Sequence, residues 1–123
     1  MEAETAAMKD LLSTENPGVK DVLRCFFGLK LHEIEAFTAL HDAGQVTGER
    51  LAEILNKDKS GVHRTLQSLV ERGLAEREYR LLRSGGYVFL YRTLPAEKMR
   101  ELARGKLRQW HETISGIIEG FDD

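Results

Sequence analysis

Apolar residues recur at three- and four-residue spacing over most of this chain, and a few polar turns interrupt them. Residues 2–13 have helix propensity but a thin apolar face. Asn16, Pro17 and Gly18 break the chain, and Pro17 suits the first turn of a new helix ending near Phe27. Its stripe is Val19, Val22, Leu23, Phe26 and Phe27, closed by Gly28. Leu31, Ile34, Phe37, Thr38 and Leu40 predict a helix over 31–43, with Gly44 as its stop. Thr47 caps a short helix whose apolar face is Leu51, Ala52, Ile54 and Leu55, and Asn56 closes it. Lys57, Asp58 and Lys59 form a tight turn. Ser60 is the expected cap of the next helix, which carries Val62, Leu66, Leu69 and Val70 and stops at Gly73. The pattern then changes to two strands, 74–82 and 87–92, split by Arg83, Ser84, Gly85 and Gly86. Pro95 opens a last helix over 96–120.

Two short helices across a tight turn, followed by a hairpin, make a helix-turn-helix with a wing. The expected fold is mainly α with a small β-hairpin wing (α+β), a winged helix-turn-helix with a long C-terminal dimerisation helix. Its divisions are 1–30, N-terminal helices supporting a dimer or the core; 31–94, the DNA-binding domain; and 95–123, the dimerisation helix. The expected core is Ile34, Phe37, Leu40, Leu51, Ile54, Leu55, Val62, Leu66, Leu69, Val70, Leu74 and Val88 or Phe89.

Helix geometry selects the outward residues of the helix at 60–72. Successive residues turn by about 100°. With Val62, Leu66, Leu69 and Val70 turned to the core, Ser60, Arg64, Gln67, Ser68 and Glu71 lie opposite, with Gly61 close by and His63 and Thr65 on the flanks. Arg bonds bidentately to guanine and Gln to adenine, so Arg64, Gln67 and Ser60 are the expected base readers in a major groove. Lys57, Lys59, Arg80 and Arg83 are the expected phosphate contacts, with Gly61, His63, Ser68, Ser84 and Gly85 completing the DNA-binding set. An ordinary surface helix also shows such residues outward, and helix geometry alone does not separate the two.

Charge supports the placement. The chain of 123 residues carries a net −2, which argues against DNA if read alone. From Lys57 to Arg92, however, eight basic residues face four acidic ones, a local +4. Apolar runs are too short for a membrane helix, which needs about 18 residues. The acidic N-terminus lacks a signal-peptide core. A single cysteine, Cys25, excludes an internal disulfide and fits a reducing, cytoplasmic setting; beside Phe26 and Phe27 it reads as a small core residue. The four histidines are scattered, and no metal or cofactor motif and no catalytic motif is present. The chain reads as no enzyme.

The last helix has a surplus stripe. Leu107, Trp110, Ile114, Ile117, Ile118 and Phe121 are its expected dimerisation residues, with steps of four and three from Trp110 to Phe121. A homodimer would set two recognition helices on two half-sites about one DNA turn apart, so the operator should be roughly palindromic.

These residues resemble the winged helix-turn-helix domains of archaeal TrmB-type and MarR-type transcription regulators. The resemblance spans 31–94 and rests on Leu31-His32-Glu33-Ile34-Glu35-Ala36, Thr47-Gly48-Glu49-Arg50-Leu51-Ala52, Lys59-Ser60-Gly61-Val62-His63-Arg64-Thr65-Leu66 and Leu69-Val70-Glu71-Arg72-Gly73-Leu74. It implies a regulator of transcription whose partners are double-stranded DNA and a second copy of itself. His63 departs from a position that often carries Tyr. One helix follows the wing where TrmB-type proteins often have a sugar-binding domain, so sugar sensing is not carried over, and no residue pattern identifies a small-molecule effector. A protein-interaction winged helix with little DNA affinity is the alternative; a sensor in which an effector or Cys25 controls DNA release is another.

Overall fold

The caps and stops of the sequence become six helices and three strands in the structure, a computed structural model describing residues 2–121. In order these are α1 (Glu2–Ser13), α2 (Val19–Phe27), α3 (Leu31–Ala43), β1 (Val46–Thr47), α4 (Gly48–Leu55), α5 (Lys59–Glu71), β2 (Ala75–Leu81), β3 (Tyr87–Thr93) and α6 (Ala96–Glu119). They form two compact units, one of residues 30–95 and the other of the described parts of 1–29 and 96–123. Residues 1, 122 and 123, which the sequence division assigned to the terminal segments, lie outside the described residues.

In the first unit, Thr47 caps α4 as expected, its Oγ1 accepting the Arg50 N–H at 3.1 Å. Asn56 ends α4 in the left-handed region at φ 53°. The cap of α5 is Asp58 rather than Ser60. The Asp58 carboxylate accepts the Gly61 N–H at 3.3 Å from an extended backbone, so the helix starts two residues earlier than a Ser60 cap requires and Ser60 lies inside it. The strands form a sheet in the order β1-β3-β2, antiparallel throughout, with Val46 opposite Tyr91 and Leu81 opposite Tyr87. Gly85 and Gly86 turn the hairpin with φ of 94° and 78°, angles that residues with a Cβ rarely adopt.

Leu40, Leu51, Leu66, Leu69 and Leu74 are the largest fully buried side chains, joined by Ile34, Phe37, Ala52 and Val62. Four core expectations change. Ile54 is 44% exposed, because it lies about 110° from the centre of the face carrying Leu51, Ala52 and Leu55. Leu55 and Val70 are half-buried. Val88 and Phe89 are half-buried too, and the buried wing residues are Ala75, Tyr91 and Thr93 at the base of the sheet.

The second unit packs α2 against α1 and α6. Asp21 accepts the Gly18 N–H at 2.7 Å, and Arg24 pairs with Asp10 and Asp21. Its buried residues are Leu23, Cys25, Leu29 and Trp110. Trp110 corrects the expected seam. At 2% exposure it meets Phe26 edge-on at 4.5 Å between ring centres, so its own chain covers it. Ile114 is half-buried, whereas Leu107, Ile117, Ile118 and Phe121 stay exposed.

Candidate nucleic-acid interface

The helix α5 presents its polar face away from the leucine core, as its periodicity requires, and the two flanks of that face differ. On one flank the exposed His63 ring lies over Gly48. A Cβ at residue 48 would stand 2.6 Å from His63 Cε1, so the missing side chain is what lets the ring approach α4. His63 shares this cleft with Tyr87, Phe89 and Tyr91 of the wing. On the other flank, Gly61, Arg64 and Ser68 face Lys30, His32 and Glu33 of α3 and its cap across a polar cavity of about 380 Å³.

The expected contacts separate by what already engages them. Lys57 Nζ pairs with Glu35 at 2.9 Å, Lys59 with Glu49 at 3.8 Å, and Arg80 with Glu78 at 2.9 Å. The Gln67 amide donates to Glu71 at 3.3 Å, and the Ser68 hydroxyl donates to Glu33 at 3.2 Å. Ser68 is therefore turned toward α3 rather than outward. Arg64 and Arg83 have no hydrogen-bond or ion-pair partner among the described residues. Arg83, Ser84 and Gly85 are exposed at the wing tip, and Ser60 is exposed in the first turn of α5.

Glu33 is the site's buried charge, at 4% exposure. Burial pushes its carboxyl upward. The Lys30 N–H at 3.0 Å, the Arg72 charge, the Ser68 hydroxyl and His32 outweigh that, and its pKa lies below the ordinary 4.5. Arg72 reaches it at 3.9 Å from the last turn of α5. Lys30, His32, Glu33 and Arg72 were absent from the expected site. Lys30, His32 and Glu33 stand about forty positions before Arg72, and α3 packing on α5 brings the two groups together.

The wing has two chemically distinct faces. One carries Glu76 bonded to Arg92 at 2.9 Å and Glu78 bonded to Arg80 and Gln45. The other carries Tyr79 stacked on Tyr87 at 5.0 Å between ring centres, both against Phe89, with the Arg77 guanidinium 4.4 Å above the Phe89 ring. Among the described residues no group of three His, Cys, Asp or Glu could hold a metal, and no helix is long and apolar enough to cross a membrane.

Residues 23–97 match the family described as sugar-specific transcriptional regulator TrmB. The chain belongs to the TrmB family. This TrmB-family protein is 26% identical over 101 residues to the uncharacterized protein MJ1503 of Methanocaldococcus jannaschii, covering 82% of this chain and 76% of that one. Its fold is similar to that of a possible transcriptional regulator from Methanosarcina mazei, with a TM-score of 0.74 at 20% identity over 85% of this chain and 89% of that one. It is also similar to Streptococcus pneumoniae FabT, solved in complex with DNA, with a TM-score of 0.53 at 20% identity over 99% of this chain and 81% of that one. The match to the family model extends beyond the expected 31–94 at both ends, into α2 and the start of α6. The family is one of transcriptional regulators, and the Methanosarcina mazei protein is described as a possible transcriptional regulator.

Proposed function

We propose that this TrmB-family protein is a sequence-specific, double-stranded-DNA-binding transcription regulator that acts as a homodimer. In this reading α5 enters the major groove, and the wing tip touches the backbone or the minor groove. The observation that carries it is Arg64: an arginine on the outward face of α5, opposite the leucine core, with no partner among the described residues. A guanidinium left unengaged there can give two parallel hydrogen bonds to a guanine edge. Arg83 at the wing tip supplies a second unengaged cation. Lys57, Lys59 and Arg80 reach phosphate by exchanging exposed ion pairs, each worth little in water, for a stronger anion. The DNA seen with FabT supports the reading by fold likeness.

The dimer rests on α6. Its 24 residues span about 36 Å, and Leu107, Ile117 and Ile118 remain exposed along it, with Phe121 exposed just past its end. A cytoplasmic location follows from the DNA it would bind. The test is fluorescence anisotropy with the protein's own upstream DNA and a scrambled duplex across a salt series. Tighter binding to the upstream duplex, with log K falling steeply against log salt, is expected. Arg64→Ala should cost about 1–3 kcal/mol and relax the preference between duplexes. An unchanged preference would remove Arg64 from base reading, and absence of binding to either duplex at low salt would remove the DNA reading.

One observation favours a second reading, a winged helix that recruits protein. Tyr79, Leu81 and Tyr87 leave an apolar face open on the wing. That reading expects negligible DNA affinity in the same titration.

A further inference from the structure

We propose that the polar cavity between α3 and α5 is a phosphate-binding subsite, and that its occupant is a backbone phosphate of the duplex on the side of α5 away from the wing. The proposal rests on the DNA reading above and adds to it residues from outside the helix-turn-helix.

A recognition helix with its side chains is about 10–12 Å across, and the major groove is about 12 Å wide. A helix seated there is therefore flanked by both phosphate strands. The wing lies beyond one flank of α5, on the His63 side. Beyond the other flank lies a cavity of about 380 Å³ whose cationic lining is Lys30, Arg64 and Arg72, with His32 beside them. Glu33 is the one carboxylate in that lining, and it is spent inward. It accepts the Lys30 N–H at 3.0 Å and the Ser68 hydroxyl at 3.2 Å, and it holds Arg72 at 3.9 Å. With Arg64 reaching for a base edge, Lys30 and Arg72 against one buried anion still leave an excess of positive charge in a concave site, which is what a phosphate diester needs. Lys30 has no side-chain partner among the described residues, although it is the cap residue of α3 and stands at the rim.

Glu33 acts here as a positioning residue. By fixing Arg72 to the α3 side of α5, it keeps that guanidinium at the cavity wall. Because both α3 and α5 contribute to the wall, a phosphate held between them would tie both helices to the DNA backbone.

The experiment uses the full chain, a labelled duplex of its upstream sequence, a scrambled duplex, and Lys30→Gln. Lys30 is exposed and its cap contact is made by its backbone, so the variant keeps the fold. The expected result is weaker binding to both duplexes by the same factor, with the salt slope reduced by about 1. Arg83→Gln at the wing tip, expected to reduce the slope by a similar amount independently, serves as the comparison. Wild-type binding with an unchanged slope in Lys30→Gln would overturn the subsite and leave the regulator reading standing. Failure of the wild type to bind either duplex would overturn the reading itself. A second arm titrates inorganic phosphate while the Arg64 and Arg72 side-chain N–H resonances are followed. Shifts that disappear in Lys30→Gln support the phosphate chemistry. Those shifts together with an unchanged duplex slope would overturn the duplex as the source and assign the site to a free phosphate compound.

Discussion

The two units of this protein solve the burial problem differently. The helices of the unit of residues 30–95 share a closed leucine core, and the apolar side chains this unit exposes lie mostly on the wing, at Tyr79, Leu81, Leu82 and Tyr87. Leu40, Leu51, Leu66, Leu69 and Leu74 are fully buried, and its buried carboxylate, Glu33, has three partners. The unit of α1, α2 and α6 buries Leu23, Cys25, Leu29 and Trp110 but leaves Leu12, Leu102, Leu107, Ile117, Ile118 and Phe121 exposed. Its Trp110 Nε1 is buried with no hydrogen-bond partner among the described residues. A reading unit of DNA needs one rigid shape before it meets its target, and a self-sufficient core supplies it. A helix with apolar surface to spare is, in the proposed dimer, the surface that meets a second copy.

The sharpest way to break this comparison is to remove equal amounts of apolar side chain from each unit. Leu66→Ala leaves a cavity where no solvent reaches, and should cost about 2–5 kcal/mol, read from the urea midpoint followed by circular dichroism. Ile118→Ala, at 56% exposure, should change the midpoint little in protein dilute enough to be monomeric. Equal losses in the two variants would mean that α6 is already covered within one chain.

A smaller effect is expected from charging the exposed stripe. Ile117→Asp combined with Ile118→Asp should shift sedimentation from dimer to monomer, weakening association by at least about tenfold, since burying each isoleucine is worth about 1.5–3 kcal/mol. Upstream-duplex affinity should fall with it, because two half-sites are then read by separate molecules. A variant that sediments like the wild type would place the partner surface elsewhere.

Much of this contrast was legible in the sequence, and the limits were physical. Helix ends were readable where a side chain or a turn residue acts locally: Thr47 at α4, Asn56 at its end, and the glycine pair at the hairpin. Asp58 and Ser60 are both capping types two residues apart, and only the backbone chooses between them. β1 is two residues long, too short to show a period, and its pairing with β3 is what buries Tyr91 instead of Val88 or Phe89. A stripe tells which side of a helix is apolar but not what covers it. Trp110 shares its side of α6 with Ile117, and the Phe26 ring of α2 covers it while Ile117 stays open. The cavity lined by Lys30, His32 and Arg72 was invisible for a related reason. No local pattern links residues about forty positions apart until α3 lies on α5.

The smallest predicted effect tests how the reading unit tolerates its buried charge. Glu33→Gln keeps the shape but loses the charge that accepts the Lys30 N–H and the Ser68 hydroxyl and holds Arg72, so it should cost about 1–2 kcal/mol at neutral pH. Arg72 is 40% exposed on its side chain, so water replaces part of what it loses. The pH dependence has a definite sign. The folded pKa of Glu33 lies below its ordinary value of 4.5, so the folded state binds this proton less readily than the unfolded chain does. The stabilisation is then complete above about pH 4.5 and is lost as pH falls through the folded value. Urea midpoints of the wild type and Glu33→Gln should therefore differ at pH 7 and converge in acid. A gap that stays constant down to pH 3 would show that the carboxylate contributes packing and not charge, and that Arg72 is held at the cavity wall by something other than Glu33.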